Sequence, residues 1–310
     1  MSEQIPAEWG NFYLKDVSFV NLMMRRIYNV LIVANPYDAF MLEDDGRVEE
    51  KIYNEYMELG LRYPPTFTQV STTEEASKVL NTVDIDLVIC MPGNADNDAF
   101  DVARAVKAEF PDIHCVVLTP FSHGITKRIQ NEDLSIFDYV FCWLGNTNLI
   151  LSIIKLMEDK MNIDNDIHEV GVQMILLVED SIRFYSSILP NLYSYILTQS
   201  QNFATEALTR HEASLRQRGR PKVVLARTYE EAWDIYQRYK DNCLGVISDV
   251  RFPINNVDEN TQTAVEGSVP VVEKDPEAGL KLLRAIRKED ECRPSPPTRR
   301  THGLWRFHLP

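Results

Sequence analysis

Residues 174–180, Met174-Ile175-Leu176-Leu177-Val178-Glu179-Asp180, pass from an unbroken apolar run straight into two acids. A short continuous run of this kind is the signature of a strand buried on both faces of a parallel sheet. The carboxyl end of such a strand is where open α/β sheets place their ligands. A second run, Leu244-Gly245-Val246-Ile247-Ser248, ends on Asp249. Two parallel strands would therefore bring three carboxylates, Glu179, Asp180 and Asp249, to one sheet edge. Hard oxygen donors suit Mg2+, which keeps several waters and bridges to phosphoryl oxygens. Each acid also has a plainer reading as a turn or helix cap, and Asp180-Ser181 resembles an N-cap. Their coincidence at matching ends of matching strands favours the site.

Outward from this stretch the pattern repeats. Residues 30–35 (VLIVAN) match residues 175–180 (ILLVED) in their apolar part, and Thr72-Thr73-Glu74-Glu75-Ala76 matches Thr228-Tyr229-Glu230-Glu231-Ala232. In each copy a Thr with Glu three residues later forms a capping box that opens a helix. A third strand follows in each, at 86–91 and 244–249. The same β-α-β-α-β order recurs after roughly 150 residues, which is domain duplication rather than a solenoid repeat. The first copy continues through strands at 113–119 and 138–143 to an amphipathic helix at 148–160. Strands alternating with helices predict two flavodoxin-like, doubly wound parallel-sheet domains of the α/β class, with right-handed crossovers.

The expected organisation is a helical extension over 1–27 with Phe19, Leu22, Met23 and Ile27 on its apolar face, a first domain over 28–160, a linker over 161–172 and a second domain over 173–294. The second domain carries a helical insertion at 181–220, one long helix or a helical pair that offers a partner or dimer surface. Residues 295–310 (SPPTRRTHGLWRFHLP) form an irregular tail where a fourth strand is due. Proline removes ladder donors, so this stretch cannot be a central strand. A shifted reading frame or early stop is the expectation, leaving the second domain truncated after its third strand and following helix.

Composition narrows the function classes. The net charge of −14 repels nucleic acid and anionic membrane, so protein partners are expected. The five cysteines are odd in number and lack C-x-x-C spacing, and Cys90, Cys115, Cys142 and Cys243 lie in or beside apolar runs. They read as reduced thiols of a cytoplasmic protein. No apolar stretch approaches the ~18 residues of a membrane span. The six histidines show no ligand spacing. A phosphatase would need a second acid two residues after a nucleophilic Asp249, where Arg251 stands. A nucleotide binder's phosphate would be repelled by Glu179-Asp180 at the place of its loop.

On these residues both copies resemble response-regulator receiver domains, the second more closely. The resemblance implies that Glu179, Asp180 and Asp249 bind Mg2+, that Asp249 is the phosphoacceptor, and that the backbone carbonyl of Arg251 completes the metal shell. The family's Ser/Thr after strand four and Lys after strand five have no counterpart in the second copy. In the first copy Ala34-Asn35 replace the acid pair, Met91 the acceptor and Cys142 the lysine, while Thr119 is kept. Methionine has no oxygen to phosphorylate, so this copy is expected to be a pseudo-receiver; nearby Asp38, Glu43, Asp44 and Asp45 read as a solvated loop and helix start. Residues 20–293 also resemble the tandem receiver-like amino-terminal part of bacterial phosphoenolpyruvate synthase or pyruvate phosphate dikinase-like proteins. No G-x-x-x-x-G-K-[ST] loop is present, so a regulatory phosphoacceptor is expected rather than an enzyme. The resemblance implies a two-component phosphorelay module whose partners are a sensor histidine kinase or phosphotransfer protein, an output protein, or a second copy. The rival expectation is a non-catalytic interaction scaffold, or a regulatory fragment of the synthase-like enzyme.

Overall fold

The computed structural model describes residues 22–40, 42, 47–92, 99–120, 134–254 and 274–292. The tail at 295–310, residues 1–21 of the expected extension and the acids at 43–45 lie outside these residues.

In the first half, strands β1 (Asn29–Val33), β2 (Thr66–Val70), β3 (Leu87–Cys90), β4 (His114–Pro120) and β5 (Tyr139–Trp143) form a parallel sheet in the order β2-β1-β3-β4-β5. Helices α1 (Pro36–Phe40), α2 (Val48–Glu58), α3 (Thr73–Leu80), α4 (Ala99–Glu109) and α5 (Asn148–Asn165) connect and close it. This is the flavodoxin-like doubly wound order. Both faces are covered, as the continuous apolar strands require: Val30 and Ile32 pack into one core, Leu31 and Val33 into another.

The second half repeats the first three strands. β6 (Met174–Val178), β7 (Lys222–Ala226) and β8 (Cys243–Ser248) form a parallel sheet ordered β7-β6-β8, the arrangement of β2-β1-β3. Its helices are α6 (Ile182–Thr205), α7 (Arg210–Arg218), α8 (Tyr229–Tyr239) and α9 (Ala278–Cys292), and a two-residue antiparallel pair joins β9 (Phe252–Pro253) to β10 (Lys274–Asp275). The two capping boxes are near-identical. Thr72 Oγ1 accepts from Glu75 N–H at 3.2 Å while Ser71 N–H donates to Glu75 Oε2 at 2.8 Å; Thr228 and Glu231, with Arg227 N–H, show the same two distances.

The insertion is a helical pair, and it serves the first half. α6 runs along β5, the sheet's edge: Ser186 Oγ accepts the Cys142 N–H at 3.0 Å and the Tyr185 hydroxyl donates to the Val140 carbonyl. An edge strand's free groups are thus satisfied within the chain. Tyr185, Leu189, Tyr193, Val223 and Leu225 share one core with Val30, Ile32, Phe141 and Ile154.

A buried ionic network lies between α5 and the start of β7. Asp159, fully buried, takes Arg220 at 2.8 Å, the Tyr193 hydroxyl at 2.8 Å and the Val223 N–H at 3.0 Å. Lys222, also fully buried, sits 2.8 Å from Asp166, a contact of charge without hydrogen-bond alignment. Burial opposes the charge on Arg220, and Asp159 more than restores it, holding the guanidinium above its ordinary range.

Two sequence expectations change here. Residues 161–172 are helical as far as Val170: α5 runs to Asn165 and a π-turn follows over Asp166–Val170. Asn162 and Asp166 are buried, the first in hydrogen bonds and the second beside Lys222, while Asp164, His168 and Glu169 stay exposed. The helix expected up to residue 27 is absent over 22–27, although Leu22, Met23 and Ile27 are buried. Leu22 and Met23 form a turn, with Met23 left-handed (φ 51°), and the chain that follows runs along α5 instead. The N–H groups of Met23, Arg25 and Ile27 donate to Asp166 (3.1 Å), Asn162 (2.9 Å) and Glu158 (3.3 Å).

Candidate functional site

The two halves present the same backbone at their strand ends. Ala34 N–H donates to Val70 O at 3.0 Å, and Glu179 N–H to Ala226 O at 3.0 Å. Met91 N–H donates to Val33 O at 2.8 Å, and Asp249 N–H to Val178 O at 2.9 Å. Positions 34 and 179, and 91 and 249, are therefore structural equivalents, so any difference between the halves lies in the side chains.

In the second half the side chains converge. Carboxylate oxygens of Glu179, Asp180 and Asp249 lie within 4.8 Å of one another, and no other such group of three candidate ligands occurs among the described residues. Glu179 is 5% exposed, and its Oε1 accepts the Ser181 N–H at 3.0 Å. Asp180 pairs with the Lys274 ammonium, while its other oxygen, Oδ1, is buried without a hydrogen-bond partner among the described residues. Burial pushes the Glu179 carboxyl up to about 7; the Asp249 and Asp180 charges add to this, while the Ser181 N–H and Lys274 oppose it. Three crowded carboxylates and an orphaned oxygen form a hard, anionic donor set of the kind that Mg2+ takes.

In the first half the equivalent positions do not converge on a charge. Ala34, Met91 and Cys142 are buried in the apolar interior, and Thr119 is buried at the end of β4. Asn35 is committed to opening α1: its Oδ1 accepts from Tyr37 N–H (3.0 Å) and Asp38 N–H (2.9 Å), and its amide donates to Asp38 (2.6 Å).

Arg251 is exposed on the bend between β8 and β9. Two residues at the site escaped sequence reading. Lys274 reaches Asp180 because β10 pairs back on β9, with Lys274 opposite Pro253. No periodicity signals a two-residue rung. Gly279, in the first turn of α9, donates its N–H to Val250 O at 3.0 Å, and a Cβ there would lie 2.0 Å from the Asp249 carbonyl oxygen. An isolated glycine in a helical pattern is the available signal of such close approach.

Two predictions follow from this geometry. Gly279→Ala forces α9 or the Asp249-Val250 backbone to move, so it should cost about 2 kcal/mol by urea denaturation and weaken any cation binding at the cluster. Unchanged stability would mean that α9 does not seat against Asp249. For Glu179, the folded pKa lies above the unfolded one, so the stability it contributes is present at low pH and lost as pH rises through about 7. Glu179→Gln should therefore stabilise the cation-free protein at pH 8 by about 1 kcal/mol, after discounting for solvent screening, and by less at pH 5. An equal gain at both pH values would contradict this.

No family model matches the sequence, and no curated protein does. Among solved structures, the chain is similar to a CheY-like response regulator receiver domain protein from Methanospirillum hungatei (13% identity, TM-score 0.34, covering 44% of this chain and 98% of that one). It is also similar to the REC domain of AraT, a response regulator from Geobacillus stearothermophilus (13%, 0.34, 45% and 98%). A third is the response regulator TrrA from Thermotoga maritima, in complex with Mg2+ and BeF (19%, 0.30, 42% and 97%). No helix among the described residues is long and apolar enough to cross a membrane.

Proposed function

We propose that the second half of this chain is a receiver-type signalling switch in which Asp249 accepts a phosphoryl group. The observation that carries this is the contrast between equivalent strand ends. Glu179, Asp180 and Asp249 crowd their carboxylates within 4.8 Å, where the first half has Ala34, Asn35 and Met91. Glu179, Asp180 and Asp249 would hold Mg2+, with the backbone carbonyl of Arg251 as a further ligand. Bound there, the ion supplies charge neutralisation to an incoming phosphoryl group, which otherwise repels a carboxylate nucleophile.

The chain's own groups do the rest. A carboxylate oxygen of Asp249 forms the new bond to phosphorus as the donor's bond to phosphorus breaks, and the leaving group takes that electron pair. Lys274, paired with Asp180, balances charge beside the product, a role the receiver family gives to a lysine after a fifth strand. The product acyl phosphate carries about two negative charges. It forms beside α9, whose Gly279 rests on the Asp249-Val250 backbone, so α9 and the β9-β10 rung are the responding elements. The first half is a non-phosphorylatable pseudo-receiver that braces the second through α6 and the Asp159 network. The phosphoryl donor to Asp249 would be a sensor histidine kinase or phosphotransfer protein, and the module would act on an output protein rather than catalyse turnover. The likeness to the regulatory part of phosphoenolpyruvate synthase-like proteins belongs to this same reading.

Acetyl phosphate with Mg2+ tests the proposal. One phosphoryl adduct, mapped by borohydride trapping to Asp249 and lost on chelation of the metal, supports it. An adduct elsewhere, or none, sinks it.

A further inference from the structure

Among the described residues, α6 uses only one of its faces within the chain. Tyr185, Leu189 and Tyr193 are buried on the side turned to the first half. On the opposite side Phe184, Tyr195 and Phe203 are 59%, 66% and 55% exposed, with Ile188 partly buried beside them. From Phe184 to Thr205 the helix carries no Asp, Glu, Lys, Arg or His, in a chain of which 25% is charged. By contrast α2, α4, α8 and α9 each carry several charged side chains. A solvated helix face ordinarily bears charge, so a long outward face with exposed aromatics and none is suited to contact rather than to water.

Charge selects the occupant. Two copies of a chain of net charge −14 repel one another except where the surface between them is neutral, as it is here. A lipid surface would find none of the basic residues that hold an interfacial helix. A two-fold contact needs a face that complements itself. The outward positions 184, 188, 191, 195, 199, 202 and 206 are spaced four, three and four residues on either side of Tyr195, so the row has the same spacing from both ends. Arg183 and Glu206, both exposed, stand at opposite ends of the uncharged stretch. Laid antiparallel about an axis through Tyr195, two such helices bring Arg183 level with the second copy's Glu206, and Ile188 level with the second copy's Phe203. Asn191 comes level with the second copy's Gln199, and two amides exchange hydrogen bonds. A parallel pair would instead set like charges together at both ends.

We propose that the outward face of α6 is the contact surface of a two-fold homodimer, with α6 packed antiparallel on α6 of a second copy about an axis through Tyr195. A helix of 24 residues gives a strip about 36 Å long and ~10 Å wide, roughly half of the ~800 Å2 that each partner contributes to a stable interface. The expected dissociation constant is therefore on the order of 10–100 µM. Sedimentation equilibrium of the full chain, from about 1 to about 500 µM, should show a monomer–dimer equilibrium. Tyr195→Glu sets two carboxylates against each other on the axis and should weaken the dimer by about tenfold or more. Tyr53→Glu, at an exposed aromatic on α2, should leave it within about twofold. Cysteine cross-linking reads the direction of packing. Asn191→Cys and Gln199→Cys chains, mixed and mildly oxidised, should bridge to each other, and neither alone should bridge beyond the wild-type background. A chain that stays monomeric throughout, a dimer untouched by Tyr195→Glu, or self-bridging of Asn191→Cys overturns the proposal; the first of these outcomes leaves the face to a different protein.

Discussion

Asp159→Ala should destabilise the whole chain by about 3–5 kcal/mol, because it strands a buried guanidinium without its counter-charge. Asp159 takes Arg220 through both oxygens (2.8 and 2.9 Å) and also accepts from Tyr193 and Val223, so four contacts go at once. Its partners come from α6 and β7, its own helix from the first half, so both halves should lose stability together. For a chain of this size that corresponds to a fall in Tm of roughly 10 °C. Calorimetry distinguishes the outcomes. A single shifted transition is expected; two transitions, with only the second half affected, would show that the halves fold independently. Replacing both charges, Asp159→Leu with Arg220→Met, should cost less than Asp159→Ala alone, since an apolar pair of similar volume leaves no uncompensated charge.

Asp249→Asn should abolish acyl-phosphate formation while leaving the fold intact. An amide is not a nucleophile toward phosphorus, and no other oxygen in the cluster ends β8. Removing one of three like charges also relieves repulsion on Glu179, since Asp249 raises its pKa. The variant should therefore be as stable as the wild type without metal, or slightly more so. Its Mg2+ affinity should fall about tenfold, through loss of one charged ligand. Intact mass spectrometry after acetyl phosphate treatment reads the first effect and calorimetric Mg2+ titration the second. Retained phosphorylation in Asp249→Asn would move the acceptor elsewhere.

Much of this was legible in the residues because it is encoded locally. Continuous apolar runs marked β1, β3, β4, β5, β6 and β8, and the Thr72–Glu75 and Thr228–Glu231 boxes marked two helix starts that the structure reproduces bond for bond. The three clustering carboxylates were readable for the same reason: each ends a strand, and parallel pairing fixes which ends coincide. What escaped depends on distant partners. Residues 161–172 look solvated, yet Asp166 is buried because Lys222 lies against it. Leu22, Met23 and Ile27 have helical spacing, yet their segment is not a helix, because Glu158, Asn162 and Asp166 take its N–H groups. Lys274 enters the site through a two-residue rung that no sequence period announces.

The central claim is that a divalent cation is held at 179, 180 and 249 while the matched positions 34, 35 and 91 cannot hold one. Paramagnetic broadening of backbone amide NMR signals by substoichiometric Mn2+ reads both places in one sample. The account predicts selective loss of the amide signals around Glu179, Asp180, Asp249 and Gly279, reversed by excess Mg2+, with the signals of Ala34, Asn35 and Met91 unaffected. Broadening at the first-half strand ends, or uniform weak broadening across the chain, would contradict it.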